Sequence, residues 1–506
     1  MTPLWFAERT LPTFDDPDLS AHYEVAVVGA GITGLTTAVL LAELGHRVIV
    51  LEARTIGAGT TGASNAKVSL VQGTRFSSIA GKHPAETLGQ YVSGNRFGMD
   101  WLLRFCAEHE VAVQRPAGIT YAADAGGLGQ VEREHELLTE HGLDPFWRDE
   151  DDVPFPFAGG TGLPDQAQVN PVELLAALTS AAEAAGITLA TGHRVVSVGS
   201  DRDPTLATTK GEVHADRVVL ATGIPIADRG GFFARVVPQR SYLSAAHLPS
   251  VGQMDMYLAT GSPGWSVRTA PAQTGQWVLA GGYAHDVGYA ESEAARLEDL
   301  AGWARSHFGA DPAHRWSAQD YHPVDELPYV GPLTPTGRRV LVASGFAKWG
   351  LTNAPAAAAV IAGHLGGEVP DWADAYRSWH THELSGVVSG VTHNVKVAGT
   401  LAGDRLASLR SRQEDPSEGT GCVARQGMQA VATSTVQGRT RTVSATCPHM
   451  GGLVRWNDAE QSWDCPLHGS RFTAGGDLIE GPATSGLERV DDKNGPAESG
   501  SAENRA

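Results

Sequence analysis

Apolar and polar positions change period twice within the first fifty or so residues. Glu24 to Val28 is a short, nearly all-apolar run, Ile32 to Leu44 spaces its apolar residues as a helix does, and Arg47 to Leu51 returns to a strand-length run. The pattern predicts a βαβ opening after an irregular lead-in at residues 1–21. Strand and helix patterns then alternate to about residue 390 with no fixed-period repeat. They predict a helix over Pro171–Ala185, strands at Arg194–Val198, Arg217–Leu220, Trp277–Gly281 and Val340–Ala343, and an Ala-rich helix over Ala354–Leu365. Residues 366–421 are more polar, with a helical stretch at Asn394–Ser411 and a linker-like Glu414–Gly421. From Cys422 short strands separated by Gly turns give an all-β signature. Asp491 to Ala506 has almost no apolar residue and reads as disordered.

Length and charge narrow the classes. A chain of 506 residues exceeds one core and divides into domains. The net charge of −19 argues against nucleic-acid and anionic-membrane partners. Val25–Ala42 is an uncharged run of membrane-spanning length, but its three Gly and three Thr parse it as strand, turn and helix. The start lacks the basic and apolar regions of a signal peptide, and four Cys are too few for a secreted disulfide framework. The sequence therefore reads as cytoplasmic.

Two motifs carry chemistry. Gly29-Ala-Gly31-Ile-Thr-Gly34 joins the first strand to the first helix, and Glu52 ends the next strand eighteen residues after Gly34. In a dinucleotide site the first Gly makes the turn, the second admits the pyrophosphate to the backbone, and the third packs helix on strand. The helix N-terminus stabilises the anion, and the acidic residue takes the ribose hydroxyls. The second motif is Cys447-Pro-His449-Met-Gly-Gly followed by Cys465-Pro-Leu-His468-Gly-Ser470, with fifteen residues between His449 and Cys465. Two thiolates and two imidazoles in the order C-x-H…C-x-x-H match a [2Fe–2S] centre in which two Cys hold one iron and two His the other. A Cys₂His₂ zinc site is the chemical alternative, although C-x-H is unlike the C-x₂₋₄-C half of a finger.

The second motif resembles the Rieske family over about residues 420–490. The resemblance implies a small β-sandwich with the cluster at its tip and both His exposed to a partner. Respiratory members add a disulfide where Gly452 and Leu467 stand here, so no such bridge forms. They also place Ser and Tyr hydroxyls on the sulfurs. Ser470 is present, but Phe472 replaces the Tyr. Fewer donors imply a potential in the lower or middle part of the roughly −150 to +300 mV Rieske range.

The first motif continues through Ala53, Arg54 and Gly57-Ala-Gly-Thr-Thr61-Gly62-Ala-Ser-Asn-Ala-Lys67. This resembles the loop with which the D-amino-acid-oxidase-like flavoproteins wrap FAD. Val195 and Val196 look like the strand on the adenine side, Ala221-Thr222-Gly223 like a second dinucleotide contact, and Gly345-Phe-Ala-Lys348-Trp349-Gly350-Leu-Thr352-Asn353 like the late flavin-binding segment. The resemblance covers about residues 22–385, and the whole chain resembles bacterial FAD-dependent oxidoreductases with a C-terminal Rieske domain. It implies an α/β plus all-β chain: a Rossmann-like FAD-binding domain at 22–90, 166–234 and 326–390, interleaved with a mixed-sheet substrate domain at 91–165 and 235–325. A helical linker at 391–419 and a Rieske β-sandwich domain at 420–490 follow.

The implied cofactors are FAD and a [2Fe–2S] cluster. No second G-x-G-x-x-G marks an NAD(P)H module, so a small reduced substrate is favoured as electron donor. Candidates to line the flavin face are Lys348 first, then Lys67, Gln72, Arg240, Tyr242, Tyr283 and His285. Each has an ordinary structural role as its alternative, and Cys106 is a thioether donor only in principle. A fused one-electron carrier suggests dehydrogenation of a CH–NH or similar substrate, with electrons leaving through the cluster to a ferredoxin-like carrier or other acceptor. Two competitors stay open: electrons entering through the cluster to drive reductive or oxygen-activating flavin chemistry, and a non-catalytic relay. A ring-hydroxylating oxygenase is disfavoured, because the residues after His468 contain no His for a mononuclear iron.

Overall fold

The computed structural model describes residues 1–227, 229–379 and 416–490; the helical stretch expected at Asn394–Ser411 and the tail from Asp491 lie outside the described residues. A six-stranded sheet runs in the order Tyr329–Pro332, Val340–Ser344, Ala215–Leu220, Tyr23–Val28, Val48–Leu51, Thr188–Ala190. All its pairings are parallel except that of Tyr329–Pro332 with Val340–Ser344. Tyr23–Val28 is central; helices cover one face of the sheet and the small antiparallel sheet Val195–Ser200, Asp203–Thr208, Gly211–Val213 covers the other, which is why all residues of Tyr23–Val28 but Glu24 are buried. Its neighbour Pro171–Ala184 starts as a helix for local reasons: Asn170 accepts hydrogen bonds from the Val172 and Glu173 N–H groups, and Pro occupies the first turn.

The helix Gly350–His364 runs beside the sheet and packs on the long helix Ala85–Glu108. A Cβ on Gly98 would lie 1.8 Å from the Thr352 carbonyl, and one on Gly94 would lie 2.4 Å from the Tyr376 ring. These helices approach at backbone distance. A domain boundary at 90/91 therefore cuts a helix whose apolar face, including Leu102, Phe105 and Cys106, belongs to the core of the dinucleotide-binding part.

An eight-stranded sheet stands beside this core, in the order His314–Pro323, Val236–Leu248, Gln276–Asp286, Ser266–Pro271, Met256–Ala259, Gly118–Ala122, Gly159–Leu163, Phe146–Arg148. It is antiparallel but for the pairing of Met256–Ala259 with Gly118–Ala122. The C-terminal part has two antiparallel sheets, of three strands (Gly421–Gln426, Gln429–Val436, Arg439–Ser444) and four (Arg455–Asn457, Ser462–Asp464, Arg471–Thr473, Leu478–Glu480). Trp463, Phe472, Val443 and Leu487 fill its core.

This C-terminal part is docked on the eight-stranded sheet. Asp458 caps the helix Glu293–Phe308 across the junction, accepting from the N–H groups of Glu293 at 2.8 Å and Ala294 at 2.9 Å. Arg455 donates to the Gly288 carbonyl at 2.6 Å and lies over the Tyr289 ring. Among the described residues no helix is long and apolar enough to cross a membrane.

Candidate active site and cluster centre

The turn after Tyr23–Val28 opens a long cavity. Gly29 has φ +105°, and a Cβ there would meet the Ala221 carbonyl at 2.6 Å; a Cβ on Gly34 would sit 1.9 Å from the Gly29 carbonyl. Gly31 is different, since its added Cβ would meet only Thr61 Oγ1, at 3.1 Å, on the cavity side. The three glycines thus make the turn, open the backbone and pack the helix. Thr61 Oγ1 accepts from the Ile32 N–H at 3.2 Å, at the start of the helix. Glu52 points back into the turn, accepting from the N–H groups of Ala30 at 2.9 Å and Arg54 at 2.8 Å. Gly29, Gly31, Glu52, Ala53, Arg54 and Thr61 line this cavity, as do Val195, Ala221, Thr222, Gly223, Lys348 and Gly350. Gly34 and Gly62 lie behind its wall, holding the turn closed.

A second cavity adjoins the first, sharing Thr60, Ser64, Asp320 and Lys348 with it. Ala347 and Lys348 have φ +48° and +74°, two successive non-glycine residues in the left-handed region. Asp320 fixes this turn, because its buried carboxylate accepts the Lys348 backbone N–H and, at 2.7 Å, the Tyr321 N–H. Burial pushes the Asp320 carboxyl up from the usual range. Burial also lowers the Lys348 ammonium to about 8, although its side chain projects into the cavity where water reaches it. The His322 imidazole, in the second cavity's wall, is held well below its ordinary value by burial and by the charges of Lys348 and Arg75.

Several sequence candidates sit elsewhere than the motif suggested. Lys67, expected at the dinucleotide, lines the second cavity instead. Its Nζ donates to the Tyr257 carbonyl at 2.7 Å and to Ser266 Oγ at 2.8 Å, and burial lowers it to about 7. Trp349 also faces the second cavity. Thr352 is fully buried and bonds Asn95 Oδ1 at 2.6 Å, so its role is helix packing. Gln72 lines the second cavity while its amide donates to Asn95 at 3.0 Å. Tyr242 reaches the second cavity, but its phenol donates to Glu293. His285 pairs with the same Glu293 at 3.0 Å and stacks on Tyr242, which leaves it outside both cavities. Tyr283 packs edge-on against Trp265, also outside them. Arg240 is not a flavin-face residue either. It is 1 % exposed and pairs with Asp464 at 2.9 Å and Glu460 at 3.4 Å in the C-terminal part. Cys106 lies in the helical core, where burial pushes its thiol up to about 12.

The four expected cluster ligands converge. Cys447-Pro-His-Met-Gly451 and Cys465-Pro-Leu-His-Gly469 fold into the same loop. In each, the Cys N–H donates to the carbonyl five residues on at 2.8 Å, and the left-handed Gly donates back to the Cys carbonyl at 3.0 Å. His449 Nδ1 and His468 Nδ1 approach to 3.2 Å, and the two thiols hydrogen-bond each other. Cys447 is drawn down to about 7, first by its bond with Cys465, then by the N–H groups of His449 and Met450 and the Ser470 hydroxyl, all against burial. The N–H groups of Leu467 and His468 point at the Cys465 sulfur. No three His, Cys, Asp or Glu among the described residues converge on a single ion position. Thiols on one side and imidazoles on the other suit a two-iron cluster, which asks for two protein ligands at each iron. Gly452 and Leu467 are neighbours, a Cβ on Gly452 lying 2.7 Å from the Leu467 side chain. One expectation is corrected: the imidazoles are not both exposed. His468 is 5 % exposed and packs edge-on against Phe233, and His449 is half-buried.

Comparison with known proteins places this geometry. Residues 24–363 match the FAD dependent oxidoreductase family. The chain belongs to that family. In this FAD dependent oxidoreductase, residues 409–491 match the Rieske [2Fe-2S] domain, so the cofactors are FAD and a [2Fe–2S] cluster. A Bacillus subtilis (strain 168) chain that bears a Rieske 2Fe-2S iron-sulfur protein name, YhfW, is 28 % identical over 96 % of this chain and 97 % of its own length. The cytochrome b6-f complex iron-sulfur subunit of Synechococcus sp. (strain JA-3-3Ab) is 46 % identical over 48 residues, 10 % of this chain and 28 % of that one. Among solved structures, glycine oxidase from Geobacillus kaustophilus superposes with a TM-score of 0.59 at 22 % identity, covering 71 % of this chain and all (100 %) of that one. L-proline dehydrogenase from P. horikoshii gives 0.56 at 17 % identity over 70 % and 97 %. These last two likenesses concern the fold.

The residues present fit both groups: a glycine cradle with Glu52 at its end for the dinucleotide, and N–H and hydroxyl donors aimed at two thiol sulfurs for the cluster. Other wall residues carry no mark in the sequence. Arg194, Asp320 and Tyr321 enter the first cavity from strands or strand ends outside any motif, and Ile479, Glu480, Gly481 and Ala483 enter it from the Rieske domain.

Proposed function

We propose that this oxidoreductase dehydrogenates a small amine or amino-acid-like substrate and passes the electrons through its cluster to an external one-electron acceptor. When bound, the flavin takes a hydride from a substrate carbon and the cluster takes electrons one at a time. One observation carries the reading: a second cavity, lined by both apolar and polar side chains, opens on the cofactor cavity along Thr60, Asp320 and Lys348, and the strand holding Asp320 also touches the cluster loop. Gln319, next to Asp320, donates to the carbonyl of Gly469, the residue after ligand His468, at 2.8 Å. It also donates to the Tyr321 phenol at 3.1 Å, and Tyr321 lines the cofactor cavity. Substrate pocket, cofactor pocket and cluster therefore share one strand.

Within the second cavity, Lys348 supplies positive charge to a substrate carboxylate, and Asp320 holds the turn that aims it. Walls formed by Tyr242 and Trp349 orient the substrate carbon and exclude water. The test is anaerobic mixing of FAD- and iron-loaded protein with a panel of amines and amino acids. Flavin bleaching followed by the paramagnetic signal of a reduced Rieske cluster supports the proposal. If no substrate bleaches the flavin, but reduced ferredoxin reduces the cluster and then the flavin, electrons run the other way.

A further inference from the structure

The cofactor cavity has a wall that the dinucleotide-binding fold does not supply. Ile479, Glu480, Gly481 and Ala483 of the Rieske domain stand in it beside Arg54 and Arg194. Their placement is held from both sides. From the flavoprotein, Arg194 donates to the carbonyls of Leu478 at 3.4 Å and Ile479 at 3.3 Å. A Cβ on Gly481 would lie 3.6 Å from the Ile226 side chain, also part of the cavity wall. From the cluster, the buried Ala483 N–H donates to Ser470 Oγ at 2.9 Å, and the Ser470 hydroxyl bonds the Cys447 sulfur. The strand Leu478–Glu480 also pairs with Arg471–Thr473, which leaves the second cluster loop.

We propose that the Rieske domain is a binding element for FAD: segment 479–483 forms part of the dinucleotide site, and FAD binding and cluster retention are thermodynamically coupled through Ala483, Ser470 and Cys447. A ligand that touches segment 479–483 favours the docked arrangement. That segment's Ala483 N–H holds Ser470 Oγ beside the Cys447 sulfur, so fixing the segment also fixes Ser470, and linkage requires the effect to run both ways. The junction is also rigid enough to act as a wall, because Arg240, Asp464, Glu460 and Arg471 interlock beneath it with little exposure. Neither the family match nor the glycine motif assigns FAD contacts to the Rieske domain. Neither the substrate nor the direction of electron flow enters this contact.

The first test uses the full-length wild-type chain, stripped of FAD but still holding iron. Loss of iron to an excess of chelator is timed with and without added FAD. The proposal expects FAD to slow the loss by roughly tenfold, because bound FAD holds segment 479–483, and through it Ser470, against the local opening that frees iron. An unchanged rate overturns it. The second test titrates FAD by flavin fluorescence into Ile479→Asp and Ile479→Asn proteins with the wild-type iron content. A new carboxylate in the wall of an anion's site weakens FAD binding by about tenfold or more, and the uncharged variant by less. Wild-type FAD affinity in Ile479→Asp overturns the proposal, whatever substrate the enzyme uses.

Discussion

Arg240 and Asp464 meet at 2.9 Å across the junction between the flavoprotein and the cluster domain, both almost fully buried, and Asp464 directly precedes the ligand Cys465. A buried charge left without its partner costs about 3–5 kcal/mol, while replacing both partners with apolar groups is often neutral. Arg240→Met is therefore expected to lower the thermal unfolding midpoint and loosen the docked domain. The double variant Arg240→Met, Asp464→Leu should recover a large part of the loss. Calorimetry of the two variants checks this, and equal destabilisation by single and double variants would rule out the pair as the junction's lock.

Ser470 is the side-chain hydroxyl bonded to the Cys447 sulfur. Donors to a cluster sulfur favour the reduced, more negative state. Ser470→Ala should therefore lower the midpoint potential. A net hydrogen bond of ~1 kcal/mol corresponds to roughly 40 mV for a one-electron couple. A redox titration followed by the reduced-cluster signal measures it, and a potential that stays put or rises contradicts the assignment.

Gly98 touches the backbone of the helix that faces the cofactor, with room for no Cβ at 1.8 Å from the Thr352 carbonyl. Gly98→Ala must push the two helices apart. Overpacking of this kind costs about 1–3 kcal/mol, and here the displaced helix starts at Gly350 in the cofactor wall. Lower chemical stability together with weaker FAD retention is the expected pair of effects. Undisturbed FAD binding would place the cofactor contact away from the N-terminus of that helix.

Lys348 titrates near 8 because burial disfavours its charge. An amine lowered this far is protonated below about 8 and neutral above it. Simple carboxylates such as acetate should accordingly perturb the flavin absorption at neutral pH and lose affinity as pH rises through that value. Lys348→Met should weaken them at neutral pH by roughly tenfold or more and abolish the pH limb. A limb that persists in the variant assigns the titration to another group.

The fold was legible where periodicity and special residues coincided. The helix expected at Ile32–Leu44 is found at Ile32–Glu43, and the strand expected at Val340–Ala343 extends one residue to Ser344. The helix expected from Ala354 starts at Gly350, because its first turn is polar and glycine-bearing yet lies in the cofactor wall. The paired Cys-Pro loops were legible because each carries its ligands and its left-handed Gly within five residues. What the sequence hid was contact between distant segments. Arg240 looked like a flavin-face cation, and only the docked domain reveals Asp464 as its partner. His285 and Tyr242 are joined by Glu293, which no local pattern links to them. The share of segment 479–483 in the cofactor wall likewise follows from docking, and no property of those residues announces it.

The left-handed pair Ala347–Lys348 sets folding and chemistry against each other at one turn. Each non-glycine residue held there costs on the order of 1 kcal/mol, which glycine would avoid. A library ranked by melting temperature alone would drift toward glycine at both positions and discard the amine that lies between the two cavities. A library ranked by turnover would keep the lysine and accept the strain. Divergence between those two rankings at residue 348, more than either ranking alone, would mark this turn as a place where the chain gave up stability for chemistry.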